Sequence, residues 1–276
     1  MYTLISMIKS TLNVLLKLLV IIIFAFPFLW MASISLQTAK ETTSMPITLI
    51  PAEPQWVNYL DAWNSGPFLT FLKNSVIILV VIIIIQMATM VPAAYAFAKY
   101  EFCGKKLLFG LVLIAFMIPT QITFLPIYYM MSDFGLLDSL WPQIFPFMTN
   151  AFGIFLLRQY FMQVPDELID AAKLDNAGEM QIIWKIMLPL SKPALATIVL
   201  LSFVSNWNEY FWPLIMTSTE GVRPLTIGVA MLKDSEGLAS WNTIMAGNMI
   251  LVIPILILYL FLSKQIIKAF AYSGIK

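Results

Sequence analysis

Long stretches without a charged side chain divide the sequence. Residues 18–39, 74–98, 107–132, 139–157 and 237–263 contain none, and 193–219 is interrupted once, by Glu209. A helix rises 1.5 Å per residue, so about 20 residues cross a hydrocarbon core. The pattern predicts an all-α integral membrane protein with six spans, near 14–36, 74–98, 107–131, 139–160, 191–217 and 241–263, forming one transmembrane domain over 1–276.

Between the fourth and fifth spans the pattern changes. Asp166, Glu167, Asp170, Lys173, Asp175, Glu179 and Lys185 fall within twenty residues of a chain that is only 11% charged. Pro165 suits a helix's first position, and Asp166 and Glu167 complement the positive end of the helix dipole. The helix that follows should present Leu168, Ala171 and Ala172 on one face, with Asp170 and Lys173 beside it. Asn176 tolerates the left-handed backbone that ends a helix, and Gly178 loosens the chain again. Met180, Ile183, Trp184 and Met187 then recur at helical spacing as an apolar stripe expected to pack under the bundle. Leu188 and Pro189 close the second helix, giving a helix–turn–helix over 164–189.

Composition agrees: 60% of the 276 residues are apolar and mean hydropathy is +0.86. The first apolar run is too long for the core of a secretory leader and reads as a retained span. Basic residues favour cytoplasmic loops. With both termini inside, only Lys40, Lys73, Arg223 and Lys233 of the sixteen basic residues lie outside, and the helix–turn–helix is cytoplasmic. The net charge of +1 hides this asymmetry and gives no indication of nucleic acid. A single cysteine, Cys103, forms no intrachain disulfide, and the absence of histidine removes the commonest metal ligand. Lys99 and Lys106 stand where a phosphate-binding P-loop around Gly104 and Lys105 needs Gly and Ser or Thr, so nucleotide hydrolysis by that route belongs to a partner.

Two regions carry further chemistry. In the third span Pro119 and Pro126 flank Thr120, Gln121 and Thr123, the pattern of a broken, polar-lined helix facing a pathway. In "SNWNEYFWP", Asn206, Asn208, Glu209 and Tyr210 alternate with Trp207 and Trp212. Hydrogen-bonding groups among aromatic faces suit sugar recognition or a gate; the same residues suit a helix-bridging carboxylate in an aromatic belt. In the outward segment 40–73, Pro46, Pro51 and Pro54 predict extended backbone before a short surface helix built on Trp56, Tyr59, Leu60 and Trp63.

"DAAKLDNAGEMQIIWKIMLP" resembles the EAA coupling motif of binding-protein-dependent ABC importers. Asp170 replaces the motif's Glu, Ala171 and Ala172 match, Asn176 stands where Gly is usual, and Leu188 and Pro189 fall at the expected distance. "AAYAFAKYEFCGK", "MIPTQITFLPIYYMMSDFGLLDS", "FVSNWNEYFWPLI" and "AFAYSGIK" are similar to the second permease subunit of the maltose-transporter-like, carbohydrate-uptake branch.

The resemblance implies a permease subunit in a bacterial or archaeal plasma (inner) membrane. It implies a second permease subunit, two cytoplasmic ATPase subunits that bind the ATP and magnesium, and an extracytoplasmic solute-binding protein, contacted through the loop 217–240. No cofactor is expected on this chain, which is not itself an enzyme. Asp166, Glu167, Asp170, Ala171, Ala172, Asp175, Asn176, Gly178, Leu188 and Pro189 become the ATPase-coupling residues. Thr120, Gln121, Asn206, Asn208, Glu209 and Tyr210 become pathway residues. An ion-coupled secondary transporter is the rival reading, opposed by the near absence of other ionisable groups in the spans. The solute, among oligosaccharides, sugars, polyols and glycerol phosphates, is left open.

Overall fold

The computed structural model describes residues 2–233 and 240–273. Every regular element among the described residues is helical. Among the described residues three unbroken helices are long and apolar enough to cross a membrane, Ser10–Ser35, Phe68–Lys99 and Trp241–Gln265, and two sharply bent helix pairs pass the same test. The chain divides into two compact units, residues 1–68 with 228–253, and 69–227 with 254–276.

In the first unit, the Tyr2–Ser35 helix exposes its apolar side chains almost all round, from Leu12 to Leu29. A helix end leaves carbonyls without intrahelical donors. Here Asn58 supplies them, its Nδ2 donating to the carbonyls of Ser35 and Gln37 at 2.9 Å each. Asn242 Nδ2 donates in turn to Asn58 Oδ1 at 2.8 Å. Asn58 and Ala62 are therefore the buried face of the Val57–Asn64 helix, while Trp56 and Leu60 of the expected aromatic face are exposed.

The second unit centres on the C-terminal end of the Phe68–Lys99 helix. Met90, Val91, Ala94 and Tyr95 pack with Leu157, Phe161, Val164, Ile169, Ile182, Ile183, Met187, Ala194 and Ile198 in one buried cluster. The third predicted span is two helices, Lys105–Met117 and Thr120–Asp133, bent by 94°. The break falls at Ile118 and Pro119, whose extended backbones end one helix and open the next. Pro126 lies inside the second helix without breaking it.

The expected helix over 139–160 is replaced in its first half by 3-10 turns, Trp141–Gln143 and Phe145–Phe147, and only Ala151–Met162 is α-helical. Pro142 and Pro146 in those turns lack the N–H that an α-helix would need there. Asn150 then starts the helix, its Oδ1 accepting from Gly153 N at 2.8 Å. The fifth predicted span is likewise divided into Lys192–Trp207 and Phe211–Met216.

Candidate functional site

The charged segment folds as two limbs, Asp166–Leu174 and Glu179–Leu190. Asn176 adopts φ +56° between them. Ala177 N donates to Ala172 O and Asn176 N to Lys173 O, both at 3.0 Å, the paired closure of a helix ended by a left-handed residue. Gly178 has an ordinary negative φ and caps the second limb. Pro189 sits in the last turn rather than beyond it, and Ile183–Met187 widens into a π turn. Pro189 has no N–H to offer the carbonyl four residues back, which favours that local widening.

The apolar stripe of the second limb is rotated from its expected position. Ile182, Ile183 and Met187 enter the buried cluster, whereas Met180 and Trp184 are 64% and 63% exposed. On the first limb Ile169 is the buried residue and Ala172 packs partly against the cluster. Glu167, Asp170, Ala171 and Asp175 are exposed, and Leu174 is 84% exposed. Leu188 packs partly against the cluster. One side of the element is thus fixed in the protein, and the other offers small, acidic and unpaired apolar groups to solvent.

Sequence reasoning missed the groups that hold the element. Tyr95 Oη donates to Glu179 Oε2 at 2.7 Å, and this bond, which favours the ionised form, is the largest influence holding the Glu179 carboxyl below its ordinary value. Lys99 Nζ lies 2.6 Å from Asp166 Oδ1. A tyrosine and a lysine four apart at the end of a span were the available signal, because polar tips there need partners.

A second polar site lies farther along the unit. Gln86 Nε2 donates to Phe147 O, and Ser202 Oγ donates to Gln86 Oε1, both at 2.7 Å. Asn206 Nδ2 donates to Ser202 O at 2.7 Å. Glu209 Oε1 accepts from Trp212 N at 3.0 Å, and Glu209 O accepts from Thr226 Oγ1 at 2.9 Å. Asn206 and Glu209, with Ser75, Gln143 and Trp212, line a cavity of about 20 Å³. That is room for one water, not a sugar ring. Gln143, one of the lining residues, is buried and its Oε1 has no protein partner.

Of the other residues assigned to a pathway, Asn208 is exposed and donates to Val204 O, and Tyr210 is 44% exposed. Thr120 and Gln121 are exposed at the break of the bent pair and are not among the residues lining the cavity. The helix they begin reaches the site through Phe124, whose ring centroid is 5.0 Å from those of both Phe211 and Trp212. Glu209 therefore lines the cavity and holds the start of the Phe211–Met216 helix through its carboxylate, while the tie to Thr226 runs through its main-chain carbonyl. Among the described residues, no group of three or more Cys, His, Asp or Glu is placed to hold a metal.

Residues 90–271 match the model of a family described as binding-protein-dependent transport system inner membrane component. The sn-glycerol-3-phosphate transport system permease protein UgpE of Yersinia pestis bv. Antiqua is 32% identical over 83% of this chain and 84% of its own length. The arabinooligosaccharides transport system permease protein AraQ of Halalkalibacterium halodurans is 33% identical over 91% of each chain. A crystal structure of a bacterial ABC transporter involved in import of the acidic polysaccharide alginate contains a chain with TM-score 0.82 and 27% identity. That match covers 93% of this chain and 96% of the other.

Proposed function

The chain belongs to the family of binding-protein-dependent transport system inner membrane components, and from that premise we propose that it carries a carbohydrate-type solute across the bacterial inner membrane. It does so as one of two permease subunits of an ABC importer. Oligosaccharide and glycerol-3-phosphate permeases among its relatives support that solute range. An alginate transporter crystallised with an alginate-bound periplasmic protein shares its fold and supports an extracytoplasmic binding protein as partner.

In this reading the chain crosses the bilayer six times with both termini in the cytoplasm. The short fourth helix, Ala151–Met162, is completed as a span by the 3-10 turns before it. Residues 164–189 form the cytoplasmic coupling element, and the two ATPase subunits carry ATP and magnesium. The single observation that carries the coupling role is the two-sidedness of this element. Its inner side is buried in the cluster around Met90 and Phe161, while Ala171, Leu174, Met180 and Trp184 are exposed. Exposed apolar groups on a water-facing element, rimmed by Asp170 and Asp175, fit a protein groove.

Closing of the ATPase pair against this surface would shift the permease between inward-open and outward-open arrangements. The residues at the cavity serve as helix ties along the pathway, with Asn206 and Glu209 its polar members. Ala171→Trp is expected to abolish solute-stimulated ATP hydrolysis in the reconstituted complex without reducing the amount of chain in the membrane. Unchanged stimulation would reject the coupling role. A thermal-shift screen of the partner binding protein across sugars and glycerol phosphodiesters identifies the solute; stabilisation by neither class would reject the proposed range.

A further inference from the structure

Tyr95 and Lys99 stand four residues apart, and therefore on one face, at the end of the Phe68–Lys99 helix. Each reaches a different limb of the helix–turn–helix. Tyr95 Oη donates to Glu179 at 2.7 Å; Lys99 Nζ donates to Asp166 and to Val164 O, each at 2.6 Å. Asp166 and Glu179 are the first residues of their limbs, where unpaired backbone N–H groups already favour an anion. The two limb starts are thus attached to the same helix face through their acids. A third contact steadies that helix end: Arg158 Nε donates to Phe97 O at 3.0 Å, with its guanidinium 4.2 Å from the Phe109 ring centroid. Lys173 lies 3.8 Å from Glu179, joining the limbs to each other.

Apolar packing resists separation but is non-directional, so a buried cluster alone leaves the element free to pivot. One hydrogen bond adds a point of attachment, and two on separate limbs fix an orientation. We infer that Tyr95 and Lys99 are positioning residues, a two-point clamp that holds the Asp166–Leu190 element at a set angle to the Phe68–Lys99 helix. A displacement imposed on the element is then delivered to that helix rather than absorbed at the joint. This rests on the coupling role proposed above.

The test uses the full complex in nanodiscs, with partner subunits free of cysteine. Spin labels on Cys103, which is exposed, and on Gln181→Cys, which is exposed on the second limb and not among the coupling residues, report the distance between the helix end and the element. A narrow distribution is expected with the clamp intact, and a broad one in Tyr95→Phe combined with Lys99→Met. Lys99→Arg, which keeps the charge, stays narrow. Solute transported per ATP hydrolysed falls by roughly tenfold in the double variant, the scale set by losing hydrogen bonds to charged groups. Equal widths overturn the clamp. A broadened distribution with an unchanged transport ratio overturns its positioning role. Failure of the coupling reading itself shows separately, as an Ala171→Trp complex that keeps full stimulation.

Discussion

Ile182→Ala separates what holds the helix–turn–helix in the fold from what it presents outward. Ile182 is fully buried in the cluster shared with Met90, Leu157, Phe161 and Ile169. Truncation removes three carbons from a packed site, and buried Ile→Ala changes cost about 2–5 kcal/mol because a cavity adds to the lost transfer energy. At about 1.4 kcal/mol per tenfold, this raises local opening roughly thirty-fold or more. Hydrogen–deuterium exchange of amides in residues 164–190 reads that opening directly. The control is Leu174→Ala. That side chain is 84% exposed, so exchange should change by less than about threefold, within the ~0.5 kcal/mol of a surface substitution. In the complex the proposed coupling role predicts the reverse order: Leu174→Ala should weaken binding of the ATPase subunits while leaving the element folded. Exchange in Ile182→Ala no faster than in Leu174→Ala would refute the argument that the inner side of the element is its structural anchor.

Asn176, at φ +56°, should accept Gly with no loss of element stability, whereas Ala costs about 1 kcal/mol for the left-handed backbone; exchange protection of the first limb measures both. Gln86→Leu leaves Ser202 Oγ and Phe147 O without their partner. With interhelical bonds in membranes averaging about 0.6 kcal/mol, the nanodisc-embedded chain should lose about 1–2 kcal/mol, read as a lower unfolding midpoint. Glu179 has a folded-state value below its ordinary 4.5, so the unfolded element binds the proton more readily. The stabilisation it contributes is present above that ordinary value and lost as pH falls through the depressed one. Exchange of the second limb, corrected for the intrinsic pH dependence, should therefore rise only in acid, and Glu179→Gln should remove that rise.

The sequence by itself determined the class of the molecule. Runs free of charge, too long for a soluble core, require helices in a bilayer, because only there is such a surface stable without water. It also located the helix–turn–helix and its joint, since the left-handed tolerance of Asn176 is a local property of one side chain. Proline placed the break at Pro119 and, in the turns around Pro142 and Pro146, shortened the fourth helix, although counting apolar residues alone predicted continuous spans there. Pro126 shows the limit of that reasoning: the same residue type sits within an unbroken helix, because neighbouring structure decides whether a missing donor ends a helix or is tolerated.

Other features were decided only by tertiary structure. Periodicity assigned Met180 and Trp184 to the buried stripe, but contact with Phe161 and Ile169 selected Ile182 instead, since rotation of a limb on its neighbour is set by packing between segments. Gln86 joins Ser202 across 116 residues, and Tyr95 joins Glu179 across 84. A hydrogen bond depends on distance in space, and no spacing along the chain encodes it. The charged segment was therefore visible in the sequence, while the residues that anchor it emerged only when the helices were brought together.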